Sequence, residues 1–406
     1  MHYAIDYGIR KETRVLPFED GRKGKEFVLK DEGAKIRFLG GLTTADTLWV
    51  EMGSGADYFC LGAANHGAAV FRLPTHLAKE ARGADAKHLT ATALMRMVGQ
   101  SPEAFYPLRE EELPVLRLRI TTREYLHYQR EFRGAVERRV ETAAREVFLV
   151  DQPDMTLEAF RRQRLANDPT YQSCQRREKE LHREIEKAVK ELPVYEAVFR
   201  RIRGCGPVTA GIIIGEIGDI RRFPKEHPER LRAYAGYAVY DGVSSVRLRK
   251  SGHRLTYQPK LQVAVWYFTQ FGVMMRSSGF SGWRDLYEAR KAYLAGKYTE
   301  KAWEVEETET DERGRVISKR RRVIPFSEWE AMPDPYEEER DGHTFKRERK
   351  GLPLYTRRHI NQMAMRYVGE KFLNAIHWWW HTFLEGGEIP EMIEPSGKAP
   401  WFSPVT

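Results

Sequence analysis

The stretch from Arg203 to Ile217, R-G-C-G-P-V-T-A-G-I-I-I-G-E-I, restricts the fold more than any other. Gly204, Gly206 and Pro207 spell a tight turn that opens a helix. Glycine accepts positive φ, and proline pre-sets the φ of a first helical turn. Thr209 to Ile217 is small and apolar and predicts a short helix, with Gly211 and Gly215 four apart on nearly one face. Such a face lets a second backbone come close. The free N–H groups of a helix start also suit a phosphate. For a short glycine motif on its own, tight helical packing without a ligand is the commoner outcome. The arginines around it, Arg200, Arg201, Arg203, Arg221 and Arg222, shift the balance towards a nucleic-acid backbone.

The 406 residues leave room for two or three domains, and 41% hydrophobic content is enough for real cores. A formal charge of +9, with aromatics interleaved among Arg and Lys, suits phosphate contact combined with stacking on bases. The three cysteines, Cys60, Cys174 and Cys205, form no C-x-x-C pair. Neither a zinc ribbon nor a disulfide framework is expected, and a reducing cytoplasm is the expected compartment. No signal-peptide pattern and no apolar run of membrane length is present, so no membrane association is expected.

Residues 1 to roughly 100 read as an α/β unit. Tyr3–Gly8, Thr47–Glu51 and Ala68–Leu73 are candidate strands, and a helix is expected after Gly53 and Gly55, running through Leu61. Glu26–Leu29 and Lys35–Leu39 read as a hairpin about Asp31-Glu32-Gly33, and Ala84–Val98 as a helix. Arg117–Glu191 is helical and highly charged, with one turn over Leu149–Met155 between two long helices. Such a pair is an antiparallel hairpin or a coiled coil joining two subunits. Further on, helices are expected over Leu261–Met275, 278–296 and Arg357–Leu384. Residues 297 to about 355 read as an insertion with a β-hairpin, Val305–Ile324, a basic run Lys319–Arg322 and a flexible Pro/acid flank, Pro333–Asp341. The tail after Gly386 reads as irregular.

Asp6, Glu51, Asp85 and His88 form the candidate catalytic and metal-binding set. Two of these acids end strands and are followed within two residues by glycine, and Asp85 and His88 share a helix face at i and i+3. Gathered carboxylates repel unless a cation sits between them, and Mg²⁺ or Mn²⁺ takes such oxygen ligands. Two such ions can activate water and stabilise the leaving oxygen of a phosphodiester. His88 would ligate through nitrogen or act as a general base. Any one of these acids taken singly reads as a cap or a surface charge; position is what groups them.

The segments I-D-Y-G, V-E-M-G-S-G, D-A-K-H-L and G-C-G-P-V-T-A-G…E-I-G-D-I-R-R-F…L-R-A-Y-A-G together resemble the DEDD transposases guided by a bridge RNA. W-R-D-L-Y-E-A-R-K and R-H-I-N-Q-M-A-M-R-Y…W-W-W-H-T-F-L are similar to that group's C-terminal helices. The resemblance implies an α/β plus all-α chain in three parts: a ribonuclease-H-like (RuvC-like) nuclease domain over 1–115, a helical coiled-coil or dimerisation region over 116–193, and a helical, Nop-like RNA-binding domain over 194–406. Asp6, Glu51 and Asp85 match the first three acids of the group, and His88 falls where the transposases have Asp. The group's nucleophilic serine falls on Ser245, beside Ser244. Val246 stands where a small residue is usual, and Tyr257-Gln258-Pro259 replaces a basic Gly-Asn segment. The chain also resembles the RuvC-bearing Tas proteins of tandem interspaced guide RNA systems. The altered serine region and His88 favour that second group. The implied function is an RNA-guided DNA endonuclease, with a guided recombinase using Ser245 as the alternative. The implied partners are a guide RNA, a target DNA and a second copy of the chain, in a prokaryotic cytoplasm. The expected nucleic-acid contacts are Arg203, Gly204, Gly206, Arg221, Arg222, Arg247, Arg249, Lys250, His253 and Arg254.

Overall fold

The computed structural model describes residues 1–7, 12–53, 55–74, 77–78, 81, 90–151, 156–240, 243–244, 257–297, 301–311, 313–325, 337–340, 343–353 and 357–395. The chain is mixed α/β and divides into two compact units. The first holds Met1–Glu196 with Ala210–Asp219, and the second holds Ala197–Thr209 with Ile220–Thr406.

The first unit is built on a seven-stranded sheet of order β3-β2-β1-β5-β6-β7, with β4 also paired to β2. Its strands are β1 (His2–Asp6), β2 (Thr13–Glu19), β3 (Arg22–Lys23), β4 (Phe27–Leu29), β5 (Thr47–Glu51), β6 (Ala69–Leu73) and β7 (Tyr106–Pro107). β1, β5 and β6 run parallel, while β2 and β7 flank them antiparallel. Alternate residues of each strand enter opposite cores. Ile5, Val15, Leu48, Val50 and Val70 pack under α1 (Glu32–Gly40) and α2 (Ala56–Asn65). Ala4, Leu16, Phe18, Trp49 and Leu73 pack under α3 (Ala91–Gln100). Burial on both faces explains why these strands read as near-continuous apolar runs.

One expectation in this unit is corrected. Residues 35–39 are not a strand: Glu32–Gly40 is helical, because the Asp31 carboxylate accepts a hydrogen bond from the Ala34 N–H at 2.7 Å and caps the helix start. Phe27–Leu29 pairs instead with β2. Of the helix expected over Ala84–Val98, residues 84–89 lie outside the described residues, and the described helix begins at Ala91, where the Thr90 hydroxyl caps it through the Ala93 N–H.

The charged middle region forms α4 (Leu113–His127), a π-helical segment Tyr128–Arg133, α5 (Gly134–Asp151), α6 (Leu157–Asn167) and α7 (Pro169–Lys190). It has a second break, absent from the sequence reading, at Asp168-Pro169. The Asp168 carboxylate accepts from the Tyr171 N–H, and proline takes the first helical position. Part of the charge is spent between helices rather than in water: Arg177 bonds Glu124 at 2.9 Å and Arg133 bonds Glu178 at 3.3 Å.

Helix α8 (Pro193–Ala197) leads to α9 (Pro207–Ile217), whose residues from Ala210 onward belong to the first unit. The second unit continues with α10 (Pro228–Tyr234), a short ribbon of β8 (Val239–Tyr240) and β9 (Val243–Ser244), α11 (Pro259–Tyr267), a π-helical segment Phe268–Met274, and α12 (Gly282–Lys297). A four-stranded antiparallel sheet follows, of order β11-β10-β13-β12. Its strands are β10 (Lys301–Thr310), β11 (Val316–Pro325), β12 (Glu337–Arg340) and β13 (His343–Pro353). The expected hairpin is thus half of a larger sheet, and part of the supposed flexible flank is strand. The last helix, α13 (Arg357–Leu384), runs through the unit's core, where the Phe268 and Phe372 rings stack at 3.8 Å and Trp283 meets both edge-on.

Beyond Gly386, the segment 389–393 is pinned. Arg201 donates to the carbonyls of Ile389 and Pro390, and the buried Trp283 Nε1–H donates to Ile393 O at 3.0 Å. On α13, the imidazoles of His377 and His381 both donate to Phe223 O, at 3.1 and 2.8 Å. Burial is the largest influence on His377 and holds its pKa below the ordinary value. The unfolded chain therefore takes up a proton on this side chain before the folded one does, and stability drops as pH falls below about 6.5. The thermal midpoint of the second unit should fall between about pH 7.5 and 5.5, and by less in His377→Gln, as followed by circular dichroism.

Candidate functional site

The parallel pairing of β1 and β5 sets Ile5 opposite Val50, so Asp6 and Glu51 end adjacent strands at the same, carboxyl, end of the sheet. The backbone fixes this end closely. Met52 N–H donates to Leu73 O at 2.8 Å, carrying the chain from β5 towards α2. Gly55 lies against the Tyr7 ring, and a Cβ there would fall 1.4 Å from Tyr7 Cε1. Gly55, four residues after Glu51, thus makes room for Tyr7, the residue after Asp6, whereas Gly53 meets open space. Two acids that end adjacent parallel strands are residue types that suit the oxygen-ligand chemistry of a hard divalent cation. Asp85 and His88 lie outside the described residues, and among the described residues no group of three or more His, Cys, Asp or Glu could hold a metal ion.

Behind this end lies a buried ionic cluster that the sequence reading missed. Asp57, in the first turn of α2, bonds Arg119 at 3.3 Å and Arg123 at 2.9 Å, both on α4. Arg123 also makes a two-pronged pair with Glu216 of α9, at 2.8 and 2.9 Å. Arg119 donates further to the Gly215 carbonyl. Asp57 and Glu216 are 5% and 1% exposed, so each charge depends on its partner rather than on water. Burial is the largest influence on Asp57 and raises its pKa, with Arg119 and Arg123 pulling it back. Cys60, fully buried one turn further along α2, is pushed up to about 12, chiefly by burial. The available signal was Glu216 itself, the single acid in an apolar helix, and the i,i+4 pair Arg119 and Arg123.

The glycines of α9 do what their spacing implied. A Cβ on Gly215 would sit 3.1 Å from Arg119 Cα, and one on Gly211 would sit 2.8 Å from a methyl of Ile185. The turn before α9 is also a close-packing device. Gly204 has φ +95°, and its Cβ would fall 2.4 Å from Gly272 O in the π-helical segment. Gly206 faces open space.

Around this turn Arg203 is exposed, with its guanidinium 5.0 Å from the Phe280 ring, which Arg276 also approaches at 5.3 Å. Arg221 and Arg222 are exposed, and Arg222 lies over the Tyr234 ring at 4.9 Å. The β8–β9 ribbon pairs Val239 with Ser244. Ser245, Arg247, Arg249, Lys250, His253 and Arg254 lie outside the described residues.

Residues 196–287 match the transposase IS116/IS110/IS902 family. The match supports a transposase-related protein that processes DNA. It takes in the Gly204 turn, α9, the ribbon and the whole stretch around Ser245, and it begins beyond the segments that carry Asp6 and Glu51. No curated protein matches the chain. No helix among the described residues is long and apolar enough to cross a membrane.

Two outcomes test this architecture. Glu216→Ala should destabilise the first unit by about 3–5 kcal/mol in urea unfolding, because Arg123 is left buried without its main partner, while Glu216→Gln should cost less. Gly204→Ala and Gly272→Ala should each cost about 2 kcal/mol or more, because backbone atoms have nowhere to retreat.

Proposed function

We propose that this protein is a DNA recombinase or transposase that breaks and rejoins strands through a serine. The observation that carries the reading is the family match over 196–287, which contains the Ser244–Ser245 segment. Ser245 Oγ would attack a backbone phosphorus and form a serine–phosphate ester as the bond to the leaving sugar hydroxyl breaks. Attack on that ester by another sugar hydroxyl would restore a phosphodiester and release the serine. Arg203, Arg221 and Arg222, with Arg247, Arg249, Lys250, His253 and Arg254, would bind the nucleic-acid backbone, and the half-buried rings of Phe280 and Tyr234 beside arginine would offer a face to unstacked bases. A structured guide RNA and a second copy of the chain are the proposed partners, and the Nop-like reading of the second unit belongs to this proposal.

A second reading, an RNA-guided endonuclease with a RuvC-like site, is supported by one feature of the fold: Asp6 and Glu51 end adjacent parallel strands. In either reading these two acids, with Asp85 and His88, would hold Mg²⁺ or Mn²⁺. The bound cation supplies charge stabilisation at a phosphodiester and an activated oxygen nucleophile. Denaturing electrophoresis of reactions with labelled target DNA, run with co-purified RNA, separates the two. A protein-linked DNA band that disappears in Ser245→Ala and persists in Ser244→Ala is the expected result. Free DNA ends with full activity in Ser245→Ala would replace this reading with the endonuclease. Asp6→Ala and Glu51→Ala should lower DNA processing by at least about a hundredfold while nucleic-acid binding survives.

A further inference from the structure

The end of α11 and the π-helical segment after it carry a cluster of rings that the serine chemistry leaves unused. Phe268, Thr269, Gly272 and Val273 are buried in the core of the second unit. The opposite side presents Trp266, Phe271 and Met275, which are 38%, 48% and 63% exposed, with Tyr267 half-buried beside them. Trp266 and Phe271 meet at 5.6 Å with their planes 84° apart, and Tyr267 lies tilted against both, at 5.6 and 5.9 Å. No pair is stacked face to face, so ring faces remain for another planar group. A π-helical segment is rare, and such segments are frequent at functional sites.

The charge around these rings is one-sided. Between Asp241 and Asp285 the sequence holds seven Arg or Lys and no Asp or Glu. Glu288 and Glu394 reach this region from elsewhere, but Arg284, Ser278 and the Gly282 N–H take them up. Arg276 follows Met275, is exposed, and forms no ion pair among the described residues. Its guanidinium shares the Phe280 ring with that of Arg203, at 5.3 and 5.0 Å. Arg203 comes close because Gly204 and Gly272 pack backbone to backbone. Each glycine is one Cα–Cα step of about 3.8 Å from the residue before it, so the Cα atoms of Arg203 and Phe271 lie within about 12 Å of each other. The glycine contact that shapes the turn therefore also sets its arginine beside the rings.

An occupant of this face has to offer planar groups and negative charge together. A second copy of this chain, at a formal charge of +9, brings the wrong sign. Duplex DNA brings the charge but keeps its bases stacked on one another, with only their edges open in the grooves. Unpaired RNA brings both, since splayed bases stack on aromatic side chains while the backbone meets arginine.

We propose that Trp266, Tyr267 and Phe271 form a stacking platform for unpaired bases of an RNA, with Arg203 and Arg276 on its phosphates. The proposal rests on the reading that the protein handles nucleic acid with an RNA partner, and it assigns to that RNA three rings which the reading leaves without a role. Binding to the full chain, stripped of nucleic acid in high salt, is followed by fluorescence anisotropy over a NaCl series. The labelled probes are an unstructured single-stranded RNA, a DNA strand of the same sequence and an RNA duplex. Trp266→Leu combined with Phe271→Leu keeps apolar bulk but removes two ring faces. This variant should bind the RNA strand at least about 25-fold more weakly, with the salt slope unchanged and duplex binding within about threefold of wild type. Trp266→Phe combined with Phe271→Tyr keeps the rings and should bring affinity back to within about threefold. Arg203→Gln combined with Arg276→Gln should instead make the salt slope shallower by about 1.4. Loss on the RNA strand, with or without loss on the DNA strand, supports the proposal. A leucine variant that binds the RNA strand as tightly as wild type overturns it, and a changed mass in light scattering would then assign the rings to a protein interface. Loss on the DNA strand alone, equal loss on RNA strand and duplex, or a ring-keeping variant as weak as the leucine one also overturns it. An unchanged slope in the glutamine variant overturns the phosphate contact. A wild-type chain that binds none of the probes overturns the nucleic-acid reading itself, whereas one that binds a probe other than the RNA strand alone overturns only this inference if the RNA strand is left unbound.

Discussion

The first unit depends on the pairing of Arg119 and Arg123 with Asp57 and Glu216. Three helices from separate parts of the sequence, α2, α4 and α9, each bring charge into a space that excludes water. Two guanidinium groups against two carboxylates leave no net charge, and the two-pronged geometry at Glu216 satisfies donors and acceptors together. An ion pair of this kind adds little stability over an apolar replacement of the same shape, but losing one member exposes the rest to full desolvation. Its value is in selection: α9 is apolar enough to be buried in many registers, and only one places Glu216 against Arg123.

Glycine makes that register reachable. Gly215 admits the backbone of α4 at Arg119, and the carbonyl exposed there accepts a bond from the same arginine. Gly204 and Gly272 repeat the device in the second unit with no side chain on either partner. Gly55 does it on a smaller scale, making room for the ring of Tyr7. In each case the glycine serves a close approach between segments far apart in sequence. This explains why a motif that reads as a phosphate cradle can spend its small residues on packing, leaving the exposed arginines beside it to face solvent.

The strands Thr47–Glu51 and Ala69–Leu73 were legible because burial on both faces writes an unbroken apolar run. Lys35–Leu39 was misread because Ile36 and Phe38 alternate with basic residues as a strand would. A single capping bond from Asp31 decides for helix, and composition does not record it. β2 was overlooked because Pro17 interrupts it, yet the residue pairs with Tyr3 and its own carbonyl accepts from Gly24. At the site, the neighbouring ends of β1 and β5 followed from local pattern. The ionic cluster did not: Arg123 reaches 66 residues back to Asp57 and 93 forward to Glu216, distances that no local rule spans. The charge of the middle helices does not by itself reveal that Arg177 and Arg133 tie one helix to another, since their partners lie 53 and 45 residues away.

The division of α9 has a consequence for the order of events during synthesis. Because Ala210–Asp219 completes the first unit, helices α2 and α4 cannot complete their ionic cluster when residue 196 leaves the ribosome. They must wait for some twenty further residues, with Arg119 and Arg123 unneutralised on the α9 side in the meantime. A shortened polypeptide ending at the apparent boundary near residue 193 would lack the very acid its arginines are arranged to meet. The natural cut for an autonomous amino-terminal fragment therefore lies beyond Asp219, inside the segment 196–287 that matches the transposase family.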